Sequence, residues 1–223
     1  SKFATAERII SSANGLHGGA RTPLAQSQGI ITPSGLHFEV HHGGVPDIPP
    51  QDHKLLIHGM VDSPKIFTMD DIMRFPSVSR MHFLECSGNG EQEWHAPSSS
   101  KTTVQESHGL TSCSEWTGVP LKMILNELDV HGDAKWLLAE GDDSSRMTRS
   151  IPMWKIMDDA ILAYAQNGEF LRPEQGFPLR LLVPGFEGNM NVKWLRRLEI
   201  SDKPWWSHQE VARYGDPRPD GKT

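Results

Sequence analysis

Apolar and polar positions along this chain fall into short alternating runs separated by turn residues. Lys54–Val61 (KLLIHGMV) reads as a strand, and Asp62-Ser63-Pro64 as the turn that ends it. Thr68, with Asp71 three residues on, supplies an N-cap signal for a short helix from Met69 to Arg74, stopped by Pro76. Ser79–Leu84 alternates toward a strand that delivers Cys86 at its end. A polar stretch rich in Ser, Gly, Glu and His follows from Ser87 to Ser112, and a loop of that length in a compact domain is usually functional or disordered. Leu121–Leu128 has helical spacing with Pro120 at its start. Trp136–Ala139, Leu162–Ala165, Leu179–Val183 and Trp194–Ile200 are strand candidates, with Asn167-Gly168 as a hairpin turn between Leu162–Ala165 and Phe170. Short strands with a few short helices predict an α+β, strand-rich mixed domain over residues 31–200. Residues 1–30 read as a loosely structured arm, and the pattern fades into a polar tail over 201–223.

Composition narrows the function. A formal net charge of −6 over 223 residues argues against nucleic-acid binding, which needs clustered Lys and Arg. No apolar run approaches the ~18 residues of a spanning helix, so no membrane span is expected. No leader opens the chain, so export to an oxidising compartment would require a signal sequence lying outside it. Two cysteines, Cys86 and Cys113, allow one bridge or two independent thiols.

Three segments carry candidate chemistry. Cys86 follows an apolar strand and precedes Ser87-Gly88-Asn89-Gly90, a small-residue turn whose backbone N–H groups can approach a ligand. A thiolate so placed serves as a nucleophile or a soft metal ligand; the plainer reading is a buried structural cysteine. His41 and His42 suit metal ligation, general base work or anion binding, but neighbours on a strand point to opposite faces and rarely share one ion. Arg180 projects from one strand and Lys193 begins the next, so the two cations can converge on one phosphate, although isolated charges are commonly solvated surface groups.

Seven blocks occur in order: Ile31-Thr32-Pro33 to Phe38 to His42 to Pro46, Glu85-Cys86-Ser87-Gly88-Asn89, Glu115-Trp116-Thr117-Gly118-Val119-Pro120-Leu121, Leu162 to Gly168, Gly176-Phe177-Pro178-Leu179-Arg180, Val183-Pro184-Gly185 and Val192-Lys193-Trp194. Together they resemble the molybdopterin-binding domain of the sulfite oxidase family over about residues 30 to 200. His-His-Gly-Gly-Val-Pro-Asp with Glu-Cys-Ser-Gly-Asn is most similar to the molybdenum subunits of bacterial sulfane dehydrogenases. The resemblance implies a molybdenum-molybdopterin cofactor, with Cys86 as the thiolate on the metal and Tyr164 as an active-site tyrosine. It further implies that Phe38, His41 and His42 border the cofactor and that Asp142 reaches the pterin. Arg180 and Lys193, with the backbone near Asn191 and Val192, would hold the terminal phosphate.

Three positions depart from the family. Val40 stands where sulfite-oxidising members place an arginine, Gln175 where a histidine is common, and Met190 where an arginine is expected. Losing the clamp at Val40 disfavours free sulfite and favours a sulfane sulfur on a carrier protein, with Arg146 and Arg149 as candidate replacements. The chain carries no Cys-x-x-Cys-His sequence, so no haem is expected on it and electrons should pass to a c-type cytochrome. The family's C-terminal dimerisation domain would begin about where this chain stops, which implies a homodimer or heterotetramer, and a periplasmic location. Alternatives are a free-sulfite dehydrogenase or reductase of the same fold, a cysteine hydrolase using Cys86 with His41 or His108, and a module holding a divalent ion on its histidines.

Overall fold

A computed structural model describes residues 8–9, 17–91, 102–212 and 214–215. In chain order its strands are β1 (Arg8–Ile9), β2 (Gly18–Ala20), β3 (Glu39–His41), β4 (Lys54–Gly59), β5 (Lys65–Thr68), β6 (Val78–Glu85), β7 (Thr111–Pro120), β8 (Trp136–Gly141), β9 (Thr148–Pro152), β10 (Ile161–Gln166), β11 (Glu169–Phe170), β12 (Arg180–Leu182) and β13 (Leu195–Ser201). Five short helices accompany them among the described residues: α1 (Met69–Met73), α2 (Val104–His108), α3 (Leu121–Asn126), α4 (Met153–Asp159) and α5 (His208–Ala212). The domain is α+β and strand-rich, as its pattern of short alternating runs predicts.

Local chemistry explains several boundaries. Thr68 and Asp71 form a capping box at α1: the Asp71 N–H donates to Thr68 Oγ1 at 3.2 Å and the Thr68 N–H donates to Asp71 Oδ2 at 3.0 Å. Asn167 and Gly168 both have positive φ, 51° and 80°, the conformation a two-residue hairpin demands between β10 and β11. Strand β7 extends through residues read from sequence as loop and block. Its buried positions include Ser112 and Ser114, which hide the strand from a hydrophobicity pattern. Those hydroxyls are satisfied in the interior, Ser114 by Gln166 Nε2 at 2.9 Å and Ser112 by the Thr22 hydroxyl. Gly18-Gly19-Ala20 in the N-terminal arm likewise forms β2 without any apolar alternation to announce it.

One sheet has the order β5-β4-β13-β8-β9, with β4 and β13 parallel and its other pairs antiparallel. The second runs β11-β10-β7-β6, with β12 also paired to β10, and a third small sheet joins β1, β2 and β3. Leu55, Ile57, Leu137, Leu198 and Ile200 from the first sheet meet Val119, Leu162, Leu181 and the apolar faces of α3 and α4 in the larger of two cores. A smaller cluster, with Phe38, Leu84, Trp116, Ala163 and Leu182, lies on the other side of β10 and β12. Strand periodicity partitions the chemistry. On β12, Leu181 enters the large core, while Leu182 joins the small cluster and Arg180 lies over the ring of Trp116 in that same cluster.

Candidate functional site

A cavity opens where the small cluster meets the loops after β6, β8 and β12. Cys86 enters it from the end of β6. Its N–H donates to Leu110 O at 3.0 Å and its carbonyl accepts from Asn89 N at 2.9 Å, closing the turn that follows. Asn89 staples this turn on both sides: its Oδ1 accepts from Leu110 N at 2.9 Å and its Nδ2 donates to Glu85 Oε1 at 2.8 Å. Burial pushes the Cys86 thiol pKa up, opposed by hydrogen bonds from Gly88 and Ser87. Both cysteines are free thiols, so the two-thiol alternative holds.

Two cations share the cavity with the thiol. Arg180 donates from Nη1 to Gln175 O at 3.1 Å and from Nη2 to Asn191 O at 3.0 Å, and it lies 4.8 Å from the centre of the Trp116 ring. Lys193 Nζ donates to Val40 O at 3.0 Å and to Glu174 O at 2.9 Å. Burial lowers the pKa of both, and Arg180 adds to the lowering at Lys193. Val192, Lys193 and Trp194 line the cavity from the segment that leads into β13. Trp194, just before β13, has a φ of 51°, a strained value for a bulky residue, and its indole N–H donates to Pro173 O at 2.8 Å.

Phe38, Glu39, Val40, His41 and His42 form one wall. Gly43 then lets the chain pass the 143–145 loop: a Cβ there would lie 2.3 Å from Ser145 N. Gln175, at a position where a histidine is common in the family, is buried and donates from Nε2 to Phe38 O at 2.9 Å while its carbonyl receives Arg180. Met190, where an arginine is expected, instead receives Arg149 Nε at its sulfur, 3.0 Å away.

The cavity therefore gathers Phe38, His41, His42, Cys86, Arg180, Asn191, Val192 and Lys193, eight of the residues singled out from sequence. Asn191 acts through its backbone carbonyl, because its side chain is spent on Val183 N, Phe186 O and Glu187 O. Asp142 and Tyr164 are not among the lining residues. Asp142 is half exposed and pairs with Arg146 and, at 3.6 Å, with Arg196; its neighbour Asp143 lines the cavity instead. Tyr164 sits at the register shift in β10 and packs against the larger core. Sequence reasoning passed over His37 and Tyr214, which line the cavity too. His37 is a single histidine between Leu36 and Phe38, and Tyr214 lies in the polar tail, so neither stands in a pattern that marks chemistry.

Orphaned polar atoms test what the cavity accepts. Arg180 Nε and His37 Nε2 are buried with no hydrogen-bond partner in the protein, which leaves a guanidinium N–H and an imidazole nitrogen unspent on two residues that line the cavity. Two buried cations with such atoms fit a phosphate-bearing, hydrogen-bond-rich ligand, and the accessible thiol of Cys86 fits a soft metal. The residues present thus fit a molybdenum pterin. Among the described residues no group of three or more His, Cys, Asp or Glu is placed to hold a metal ion, and no helix is long and apolar enough to cross a membrane.

Comparison with known proteins agrees. The profile of the oxidoreductase molybdopterin binding domain matches residues 42–209. The chain is 34% identical over 212 residues to a nitrate reductase (NADH) of Ulva prolifera, covering 88% of this chain and 24% of that protein. It is 37% identical over 206 residues to nitrate reductase (NADH) 2 of Phaseolus vulgaris, covering 85% and 23% respectively. Among solved structures, the sulfane dehydrogenase SoxCD from Paracoccus pantotrophus superposes with a TM-score of 0.91 at 43% identity, over 97% of this chain and 56% of that one. The chain thus spans about a quarter of the length of those nitrate reductases and 56% of the SoxCD chain. It belongs to the oxidoreductase molybdopterin-binding domain family, that of sulfite oxidase, and is similar within it to sulfane dehydrogenase SoxCD.

Proposed function

We propose that this protein oxidises a sulfane sulfur carried on a cysteine of a partner protein, in the periplasm, and passes the electrons one at a time to a c-type cytochrome. The observation that carries this reading is the wall around the thiol. Cys86 and Val40 pack on the same apolar cluster as Phe38 and Leu84, and no arginine stands at position 40 to hold a small oxyanion. Neither candidate replacement lines the cavity: Arg146 is tied to Asp142, and Arg149 lies beneath the Tyr214 ring and against Met190. The same argument weighs against nitrate, which is also a small anion. An apolar approach to the thiol suits a substrate delivered on a protein segment.

Cys86 would hold the metal, and Arg180 and Lys193 the cofactor's phosphate, with Phe38, His41 and His42 along its side. When bound, that group supplies oxygen transfer and two-electron chemistry. The protein's own work is to orient, to exclude water from the apolar wall, and to fix charge where the phosphate lies. The hydrolase alternative loses ground because burial raises the Cys86 thiol pKa, outweighing the hydrogen bonds from Gly88 and Ser87, where a nucleophile needs it lowered.

Steady-state assays with a persulfide-loaded carrier, sulfite and nitrate decide the substrate, with cytochrome c as acceptor and a reduced viologen as donor for nitrate. The carrier is expected to be turned over efficiently and sulfite weakly. Val40→Arg should raise kcat/KM for sulfite by about tenfold or more, since one guanidinium in a partly dry site contributes a few kcal/mol to an anion. Rapid turnover of sulfite or nitrate by the unaltered protein, with no turnover of the carrier, overturns the reading.

A further inference from the structure

Three residues far apart in sequence form a continuous line of hydrogen bonds leading out of the cavity. The Tyr214 hydroxyl lies 2.9 Å from His42 Nε2, and His42 Nδ1 lies 3.3 Å from His17 Nδ1. Tyr214 and His42 line the cavity and His17 does not; each is partly exposed. The line is built by the fold. Pairing of β2 with β3 sets Gly18 opposite His41, which brings the preceding residue, His17, beside His42 with ring centres 5.4 Å apart. At the other end, the Tyr214 N–H donates to Gln209 O at 3.0 Å at the end of α5, and Arg149 lies 5.0 Å from the centre of its ring. Glu210 anchors α5 by accepting from Ser150 N at 2.7 Å.

We propose that Tyr214, His42 and His17 are a proton relay between the cavity and the surface. A neutral imidazole accepts at one ring nitrogen and releases from the other. With the phenol donating to His42 Nε2, His42 must carry its hydrogen on Nδ1 and donate it to His17 Nδ1, which leaves the neutral His17 with its hydrogen on Nε2. Passage of one proton outward reverses the polarity of each bond, and a return hop or ring reorientation resets it. This rests on the oxidative function proposed above, which requires such a path. Adding one oxygen from water to a persulfide follows R–S–S⁻ + H₂O → R–S–SO⁻ + 2H⁺ + 2e⁻, the electrons going to the cytochrome and the protons into the relay. Oxidation of sulfite, SO₃²⁻ + H₂O → SO₄²⁻ + 2H⁺ + 2e⁻, makes the same demand.

The test uses the cofactor-loaded protein, its molybdenum and pterin content measured first, with whichever of persulfide carrier or sulfite the unaltered protein turns over. A wrong substrate assignment then appears in the unaltered protein and a wrong relay only in the variants. His17→Gln should lower kcat on the order of 10²-fold in weakly buffering solution. KM and cofactor content should be unchanged, the solvent deuterium isotope effect enlarged, and the rate restored by added imidazole. Tyr214→Phe should lower kcat without such rescue, because added imidazole reaches the surface end and not the cavity. In the cofactor-free protein, nitrogen-15 spectra of labelled histidine should show the His42 ring resonances moved by Tyr214→Phe at one nitrogen and by His17→Gln at the other. An unchanged kcat in His17→Gln, a loss that imidazole fails to restore, or His42 resonances indifferent to both substitutions each overturns the relay.

Discussion

On one part of the cavity wall Arg180 and Lys193 are fixed by main-chain carbonyls of Gln175, Asn191, Val40 and Glu174, while on another Cys86 rides a turn of small residues secured by Asn89. The cations are held by acceptors from four separate positions because a buried charge without fixed partners is costly. The thiol needs the reverse: an apolar setting and a sparse turn, so that a large group can approach its sulfur. Under the proposed function, one part would hold an anion in place and the other would leave a soft atom accessible. Their failures should therefore differ in kind.

The largest effect is expected at the thiol. Cys86→Ser should leave the fold standing and reduce turnover to background, since a hydroxyl is a poor substitute for a thiolate ligand. Activity assayed alongside thermal unfolding checks both halves, and substantial residual turnover would remove Cys86 from the metal. At the cations the loss should fall on cofactor retention. Arg180→Ala and Lys193→Ala each delete a charge-assisted hydrogen bond of ~1.5–3 kcal/mol, roughly ten- to a hundredfold in affinity. Molybdenum per chain is the readout, and full occupancy in the double variant would break the contrast drawn between the two parts of the wall.

His37 sharpens the comparison through pH. Buried against Phe38 and Trp116, its pKa is lowered to about 3 by burial, so it stays neutral in the fold at pH values where the unfolded chain, near 6.5, is protonated. Between those values the unfolded state binds the extra proton, and stability rises with pH. His37 thus costs the cofactor-free protein stability as pH falls from 6.5 toward 3, by at most about 1.4 kcal/mol per pH unit. Denaturant unfolding across that range should show a shallower slope in His37→Phe; equal slopes would place the acid sensitivity elsewhere. The smallest functional effect belongs to Cys113, a buried thiol on β7 that does not line the cavity. Cys113→Ser should keep wild-type turnover and lose only ~1–3 kcal/mol of stability for burying a hydroxyl, measured by the same unfolding curves. A fall in activity would show that the two cysteines are coupled.

Legibility followed the same division. The seven sequence blocks carried the Cys86 turn, the strand that brings Arg180 and the approach of Lys193, because each lies in a short stretch whose local pattern is distinctive. Elements whose interior faces are polar were harder to see. Ser112 and Ser114 mask β7, and β9 with its buried Arg149 and Ser150 reads as surface until Glu210 and Met190 are found against it.

The sequence by itself determined the strand-rich α+β class, the α1 capping box, the Asn167-Gly168 hairpin and most of the cavity's polar residues. These depend on periodicity, turn chemistry and motifs within a few residues. Only the tertiary structure decided that Asp143 rather than Asp142 lines the cavity, that Tyr164 packs against the larger core, and that His17 and Tyr214 meet at His42. Tyr164 shares the face of Leu162 by strand alternation, but which face meets the larger core is set by sheet packing, and the meeting at His42 joins chain segments 172 residues apart. Contacts of that range are set by the packing of whole sheets, and no local pattern encodes them.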